Sequence, residues 1–275
     1  MFPSPLRPIL LVLAAMVLAL GVMSPVQAAP PTDGPGGNVG PSWPYVTILN
    51  GQFTLIPLKN QAMISETEHG YRVRAGQQDS RLVVTQVEGG LRFHDSGTRE
   101  WKSIPDACQR EQAVGVAAVC PVPSSIGPDN PMLLEVWPRL GDDFVDGSTL
   151  PEQFQMAVLA DAGVDTVLTG AGHDFVNGAM QVDVVQGGAG NDWIRVGDGN
   201  DDIAGGLGDD KLVGSDGADI VRGGNGTDRV DGGAGDDRLY ADDSSVDVVA
   251  CGSGSDTAQV DMTDKARDCE TVSRL

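Results

Sequence analysis

Nine aspartates follow one another at intervals of nine residues through the second half of the chain. Eight of them have a glycine two residues earlier, and Gln181 takes that place in the ninth case. From Asp161 to Asp256 the chain has twenty Asp and only five Lys or Arg, and carboxylates in such excess are suited to hard cations, because these ions prefer oxygen ligands. The spacing therefore predicts a series of cation sites. The nine candidate metal ligands are Asp165, Asp174, Asp183, Asp192, Asp201, Asp210, Asp219, Asp228 and Asp237.

An aliphatic residue stands two positions after each aspartate, and glycines precede most of the aspartates. Around the aliphatic residue the chain has the alternation of a very short strand, and the glycines supply turns. Two such units close one coil of about 18 residues, and coils stack in parallel at a rise of roughly 4.8 Å. Every second aspartate then lies in the same column. One column holds Asp174, Asp192, Asp210 and Asp228, and the other holds Asp165, Asp183, Asp201, Asp219 and Asp237.

The apolar content of the repeat is too small to hold these coils together. One aliphatic residue in nine buries little surface against the conformational entropy of the chain. A column of carboxylates about 5 Å apart also repels itself. Ca²⁺ removes this repulsion, since it accepts six to eight oxygens from carboxylates and backbone carbonyls, whereas Mg²⁺ requires tight octahedral geometry. We therefore expect several Ca²⁺ ions between successive turns.

Four nonapeptides match the pattern G-G-x-G-x-D-x-U-x at every defined position. They are Gly187 to Arg195, Gly205 to Val213, Gly223 to Asp231 and Gly232 to Tyr240. The chain thus resembles the RTX, or hemolysin-type calcium-binding, repeat family. The resemblance implies that repeat carboxylates and turn carbonyls bind Ca²⁺ between coils, with Asp192, Asp201, Asp210, Asp219, Asp228 and Asp237 as the best matches. Asp165, Asp174 and Asp183 match less well, and Thr169, Ala179, Gln181 and Val196 depart from glycine positions towards the start of the array.

The whole sequence predicts an all-β protein, a parallel β-roll or β-solenoid with a β-rich N-terminal capping segment. Short β-favouring runs separated by turn residues occupy 45–138, and the repeats occupy 139–258, beginning with an out-of-register copy at Arg139 to Gly147. Residues 151–163 are the one place where a turn or two of helix, or a loop, is expected. Residues 259–275 are expected to cap the end of the solenoid.

The N-terminus is typical of a cleavable export signal. Arg7 precedes an apolar run from Ile9 to Met23, and small residues lead up to Ala28. About 15 apolar residues fall short of the roughly 20 that a membrane span needs. We therefore predict a signal peptide at 1–28, a flexible Pro/Gly leader at 29–44, and a secreted mature chain without a membrane span.

Four cysteines suit an oxidising compartment, and three pairings are possible. The short intervals favour Cys108 with Cys120 and Cys251 with Cys269. The segment around the last two also resembles the closing segment of exported actinobacterial-type RTX-repeat proteins, in which a Cys-bridged loop follows the last repeat.

Composition and the absence of two catalytic motifs limit the functions that the sequence allows. The formal net charge of −21 disfavours nucleic acid, and neither H-E-x-x-H nor G-x-S-x-G occurs in the sequence. We expect a non-enzymatic, calcium-binding protein with a structural or adhesive role and a partner in the cell envelope or an extracellular protein or carbohydrate. The alternative is a small exported hydrolase that carries the repeats as a stability module.

Overall fold

The computed structural model describes Leu58 and residues 60–275, so the predicted signal peptide, leader and first β-favouring runs lie outside the described residues. The described part contains strands and no helix. The strands are β1 (Gln61–Glu66), β2 (Gly70–Arg74), β3 (Arg81–Val87), β4 (Gly90–Asp95), β5 (Glu100–Ser103), β6 (Gln109–Glu111), β7 (Val116–Cys120), β8 (Met132–Trp137), β9 (Phe144–Asp146), β10 (Phe154–Leu159), β11 (Thr166–Leu168), β12 (Phe175–Met180), β13 (Val184–Ala189), β14 (Trp193–Asp198), β15 (Asp202–Leu207), β16 (Lys211–Asp216), β17 (Ile220–Asn225), β18 (Arg229–Ala234), β19 (Arg238–Ala241), β20 (Val248–Ser253), β21 (Thr257–Val260), β22 (Lys265–Arg267) and β23 (Thr271–Arg274).

The strands form two sheets that face each other across a thin core. Sheet A has the order β22-β20-β18-β16-β14-β12-β10-β8-β2-β1-β5, and sheet B has the order β23-β21-β19-β17-β15-β13-β11-β9-β3-β4-β7-β6. From β8 onwards the chain alternates between the sheets, and each strand pairs in parallel with the strand two places later. The protein is a parallel β-solenoid of about eight coils, which confirms the predicted fold class.

The register of the solenoid follows the nine-residue repeat. Val176 pairs with Ile194, Ile194 with Leu212, and Leu212 with Val230, so equivalent residues lie 18 positions apart. The aliphatic residue after every repeat aspartate is at most 1% exposed. The predicted column of Val, Ile and Leu therefore forms the core of the repeat region.

The N-terminal strands extend both sheets with a different topology. β1 pairs with β2, and β3, β4, β7 and β6 pair in succession, all antiparallel. β2 then joins β8 and β3 joins β9 through parallel pairings. The antiparallel strands thus continue into the same core as the repeats, and the Tyr71 and Phe93 rings pack edge to face within it, 5.8 Å apart.

Residues 151–163 do not form the helical turns that the sequence allowed. They contain β10, which pairs with β8 on one side and β12 on the other. Phe154, Met156 and Val158 point into the core at every second position, and this alternation is satisfied only by a strand.

The cysteines pair sequentially, as the short intervals predicted. Cys108 is bonded to Cys120, and Cys251 is bonded to Cys269. In the part of the chain that the structure describes, no helix has the length and hydrophobicity to span a membrane.

Candidate metal centre

The repeat aspartates form two columns of side chain to backbone hydrogen bonds. In each step the backbone N–H of one aspartate donates to Oδ1 of the aspartate one coil later. The Asp192 N–H donates to Asp210 at 2.8 Å, and the Asp201 N–H donates to Asp219 at 2.9 Å. The bonds join the two sets of residues that the sequence assigned to separate columns.

Both columns extend beyond the nine predicted aspartates. Asp143 continues one column at its N-terminal end, where its Oδ1 accepts from the Ser80 N–H at 2.5 Å and its own N–H donates to Asp165. At the other end Asp228 donates to Asp247, Asp247 to Asp264, and Asp237 to Asp256. The added residue between Asp237 and Asp247 leaves the columns intact.

A shorter signal would have found these extra members. Asp143, Asp247, Asp256 and Asp264 each precede Val or Ala by two residues, so D-x-U persists even at Asp247 and Asp264, where the glycine two residues earlier is missing. The strict nine-residue spacing excluded them.

The second carboxylate oxygen has no hydrogen-bond partner in eight of the nine predicted aspartates. These aspartates are at most 1% exposed, so the Oδ2 atoms are also shielded from water. A buried unpartnered oxygen costs free energy, and a charged one costs more. The orphaned Oδ2 atoms belong to Asp165, Asp183, Asp192, Asp201, Asp210, Asp219, Asp228 and Asp237, and also to Asp143, Asp247 and Asp256.

Glycine at the first position of a turn, five residues before its aspartate, leaves a space beside this oxygen. The place that a Cβ on Gly187 would take lies 2.4 Å from Oδ2 of Asp192 and 2.6 Å from the carbonyl oxygen of Gly205. The equivalent place at Gly205 lies 2.2 Å from Oδ2 of Asp210 and 2.5 Å from the carbonyl oxygen of Gly223. We call this space the cradle of the turn. Two oxygens that meet there without a hydrogen between them fit a hard cation, which gathers carboxylate and carbonyl oxygens.

Burial changes the acidity of the carboxylates. It raises the pKa of Asp210 to about 8 and the pKa of Asp219 to about 6, although the backbone N–H bonds to each carboxylate lower it. The pKa of Asp192 is raised by burial and by the neighbouring charges of Asp174 and Asp210. The fold therefore disfavours the ionised columns in the absence of a cation.

The second and fourth glycines of each turn have a separate, steric role. Gly206 has φ of 118°, and a Cβ there would lie 2.0 Å from the carbonyl oxygen of Gly188 in the preceding coil. Where other residues stand at these positions, Ala179, Gln181 and Ser215 adopt positive φ as well. The turns therefore keep the same backbone conformation where glycine is replaced. The replacing residues are strained, because L-residues rarely adopt positive φ.

An outer ladder, which the sequence did not reveal, runs beside one column. The Asn191 N–H donates to Nδ1 of His173 at 2.6 Å, the Asp209 N–H to Oδ1 of Asn191 at 3.0 Å, and the Thr227 N–H to Oδ1 of Asp209 at 2.8 Å. These residues precede the column aspartates by one position. They satisfy the N–H groups of the turns and leave the inner Oδ2 atoms untouched.

Within residues 60–275, no three His, Cys, Asp or Glu side chains cluster as a metal site. Each turn supplies one inner carboxylate, so a cation in the turns must take backbone carbonyl oxygens as further ligands. The cradles provide both kinds of oxygen. The turns could therefore hold a row of cations along each edge of the solenoid.

Comparison with known families agrees with this arrangement. Residues 158–185, 180–212 and 213–245 match the family model described as RTX calcium-binding nonapeptide repeat (4 copies). The matched residues make up about a third of the chain, and the prediction of RTX-type calcium-binding repeats is confirmed there. No curated protein and no solved structure matches the chain.

Proposed function

We propose that this RTX-type repeat protein is a secreted calcium-binding β-roll, in which Ca²⁺ is clamped between successive turns by repeat carboxylates and turn carbonyls. One observation carries the proposal: a row of buried Oδ2 atoms has no hydrogen-bond partner, and several of them face a backbone carbonyl across a cradle. A cation would balance the charge of the carboxylate oxygen and would coordinate both oxygens. Ca²⁺ tolerates such an irregular set of oxygen ligands better than Mg²⁺ does.

Folding of the repeats is expected to depend on the ion. The cation-free columns bring like charges together in a buried row, so binding free energy becomes folding free energy. Each coil contacts only its neighbours, so a turn that is ordered by Ca²⁺ favours the folded conformation of the adjacent turn. We therefore expect cooperative loading at about 10⁻⁴–10⁻³ M, the range of extracellular calcium modules.

A location outside the cell accounts for several features together. The two disulfides require an oxidising compartment, and calcium dependence would keep the repeats unfolded until they meet extracellular ion. The export signal predicted at 1–28 fits the same route. N-terminal sequencing of the protein from culture medium, starting near Ala29, would support secretion, whereas retention of the full chain in cells would contradict it.

The outer face of sheet B supports a structural or adhesive role. On this face Arg222 pairs with Asp202 and lies over the ring of Tyr240, 5.8 Å from its centroid. Aromatic and charged side chains next to each other on such a face suit an extracellular protein or carbohydrate partner. Binding to cell-envelope glycans should require Ca²⁺, and equal binding in chelator would argue against the role.

The hydrolase alternative has one feature in its favour. A cavity of about 520 Å³ in the N-terminal strands is lined by Glu66, Glu68 and His69, among other residues. We propose that the protein is not an enzyme, and esterase, peptidase and glycosidase screens of the calcium-loaded protein should show no turnover. A turnover that His69→Ala abolishes would establish the alternative.

Calorimetric titration tests the calcium proposal directly. The chelated mature protein is titrated with Ca²⁺ and, separately, with Mg²⁺. Several Ca²⁺ ions per chain with cooperative heats, and weak Mg²⁺ binding, are expected. Absence of Ca²⁺ binding, or equal affinity for the two ions, would overturn it.

A further inference from the structure

The first residue of each turn differs along the array, and this residue determines whether the cradle is open. Glycine leaves it open beside Asp183, Asp192, Asp210, Asp219 and Asp237. In these five turns the place of a first-position Cβ lies 2.2–2.5 Å from Oδ2 and 2.5–2.8 Å from a carbonyl oxygen of the next coil. At Gly223 the carboxylate of Asp228 lies within 2.4 Å, but no carbonyl oxygen is among the three nearest atoms.

In the turn of Asp174 the first residue is Thr169, and its side chain fills the cradle. The hydroxyl donates to the carbonyl oxygen of Gly187 at 2.5 Å, and it is also within hydrogen-bond reach of the Asp174 carboxylate. These are the counterparts of the two oxygens that flank the open cradle at Gly187. The hydroxyl therefore occupies the place that a cation would take.

The inner carboxylate confirms that the Asp174 turn is different. Its Oδ2 accepts from the Gly170 N–H at 3.1 Å, and it is the one predicted aspartate whose Oδ2 has a hydrogen-bond partner. The oxygen that needs a cation elsewhere is thus satisfied by the protein in this turn.

In the turn of Asp201 the first residue is Val196. Its side chain is fully buried and belongs to the main apolar core, so the turn has an aliphatic group where its neighbours have a glycine. By the symmetry of the repeat, the Val196 Cβ projects towards Oδ2 of Asp201, as a Cβ at Gly187 or Gly205 would do for its own aspartate. Ala160 holds the same position before Asp165 and is also fully buried.

We infer that Thr169, Val196 and Ala160 close their turns to Ca²⁺, so that the first residue of each nonapeptide selects which turns load. The inference rests on the proposed function. It removes Asp165, Asp174 and Asp201 from the nine predicted ligands, and it assigns Ca²⁺ to the five turns that combine a cradle carboxylate with a carbonyl. At Asp174 a neutral hydroxyl joins the coils without metal.

Opening and closing single cradles tests this assignment. Val196→Gly opens the Asp201 turn and should add one Ca²⁺ per chain to the wild-type stoichiometry, measured by calorimetry and by atomic emission after dialysis. Val196→Ala is the matched control, since it loses most of the same core packing but keeps the Cβ, and should add none.

The reverse change is Gly205→Ala. Gly205 has no positive φ, so alanine is allowed by the backbone, but its Cβ would fill the cradle beside Asp210. One Ca²⁺ per chain should be lost. Leu207→Ala alters an exposed side chain of the same turn and should lose none.

The outcomes separate the two levels of the proposal. A wild-type chain that binds no Ca²⁺ would overturn the proposed function itself. A wild-type chain that binds Ca²⁺, with a stoichiometry that Gly205→Ala leaves unchanged, would overturn selection by the first residue. The same holds if Val196→Gly and Val196→Ala both fold and bind equal numbers of ions. If Val196→Gly does not fold, Gly205→Ala against Leu207→Ala decides.

Discussion

Replacing Asp210 by Asn removes the charge of one buried carboxylate and keeps its shape. Oδ1 of the amide can still accept the Asp192 N–H, which donates to Asp210 at 2.8 Å. The amide NH₂ would replace the orphaned Oδ2, and it can donate to the Gly223 carbonyl oxygen across the cradle. The substitution therefore supplies a hydrogen that the carboxyl has only when it is protonated, and it removes a ligand of the calcium-loaded turn.

The size of the effect follows from the pKa of the carboxyl. Burial raises the pKa of Asp210 to about 8, from an ordinary value of 3.8. Between pH 3.8 and 8 the cation-free fold keeps this carboxyl protonated while the unfolded chain loses the proton, which costs about 1.4 kcal/mol for each pH unit above 3.8, hence on the order of 5 kcal/mol at pH 7.5. Neighbouring carboxyls relieve part of this cost by sharing protons. We expect Asp210→Asn to raise the free energy of unfolding in chelator by about 2–5 kcal/mol, or roughly 5–20 °C in Tm.

The assay is thermal unfolding in chelator, with calcium stoichiometry measured in parallel. Asp210→Ala is the contrasting variant. It also removes the buried carboxyl but leaves the Asp192 N–H without its acceptor, so it should be about 1–3 kcal/mol less stable in chelator than Asp210→Asn. Both variants should lose one bound Ca²⁺. If Asp210→Asn is no more stable than the wild type in chelator, the Oδ2 atom is not buried and unpaired, and the reasoning fails.

Three further predictions concern pH, the turns and the C-terminal disulfide. Because burial raises the pKa of the column aspartates, the cation-free fold binds more protons than the unfolded chain, so its Tm in chelator should fall as pH rises from 5 to 8; a Tm that rises over this range would refute the raised pKa values. Gly206→Ala should destabilise the calcium-loaded protein by about 3 kcal/mol or more in urea unfolding, since its Cβ would meet the Gly188 carbonyl oxygen at 2.0 Å, and an effect no larger than that of Gly89→Ala, at a glycine of positive φ with nothing within 4 Å of its Cβ place, would contradict this. Replacing Cys251 and Cys269 together by Ser should cost about 3 kcal/mol in the same assay, and an unchanged midpoint would show that the bridge does not secure the last coils.

The sequence alone was enough to predict the repeat fold. A strict period of nine with one aliphatic residue per unit determines which side chains face inwards, and Ile194, Ile203 and Leu212 are buried in the expected column. The division of the aspartates into two columns followed from the same period. Such periodic features are local and repeated, so errors at one unit are corrected by the next.

Features that depend on neighbouring coils were not visible in the sequence. The two oxygens of each aspartate have different surroundings, because the hydrogen bond to Oδ1 comes from a backbone N–H 18 residues away. Likewise, β10 is a strand because β8 and β12 pair with it on both sides, whereas its own residues also allowed a helix. Thr169 was a departure from a glycine position, and only the structure shows its hydroxyl between two oxygens.

The central claim is that Ca²⁺ holds the columns of buried aspartates together. Far-UV circular dichroism of the mature chain at pH 7.5, first in chelator and then through a Ca²⁺ titration, tests it most directly. The account predicts a β signal that grows cooperatively and saturates at about 10⁻⁴–10⁻³ M Ca²⁺. A complete β spectrum in chelator that Ca²⁺ does not change would contradict it, since the apolar core and the disulfides would then suffice without the ion.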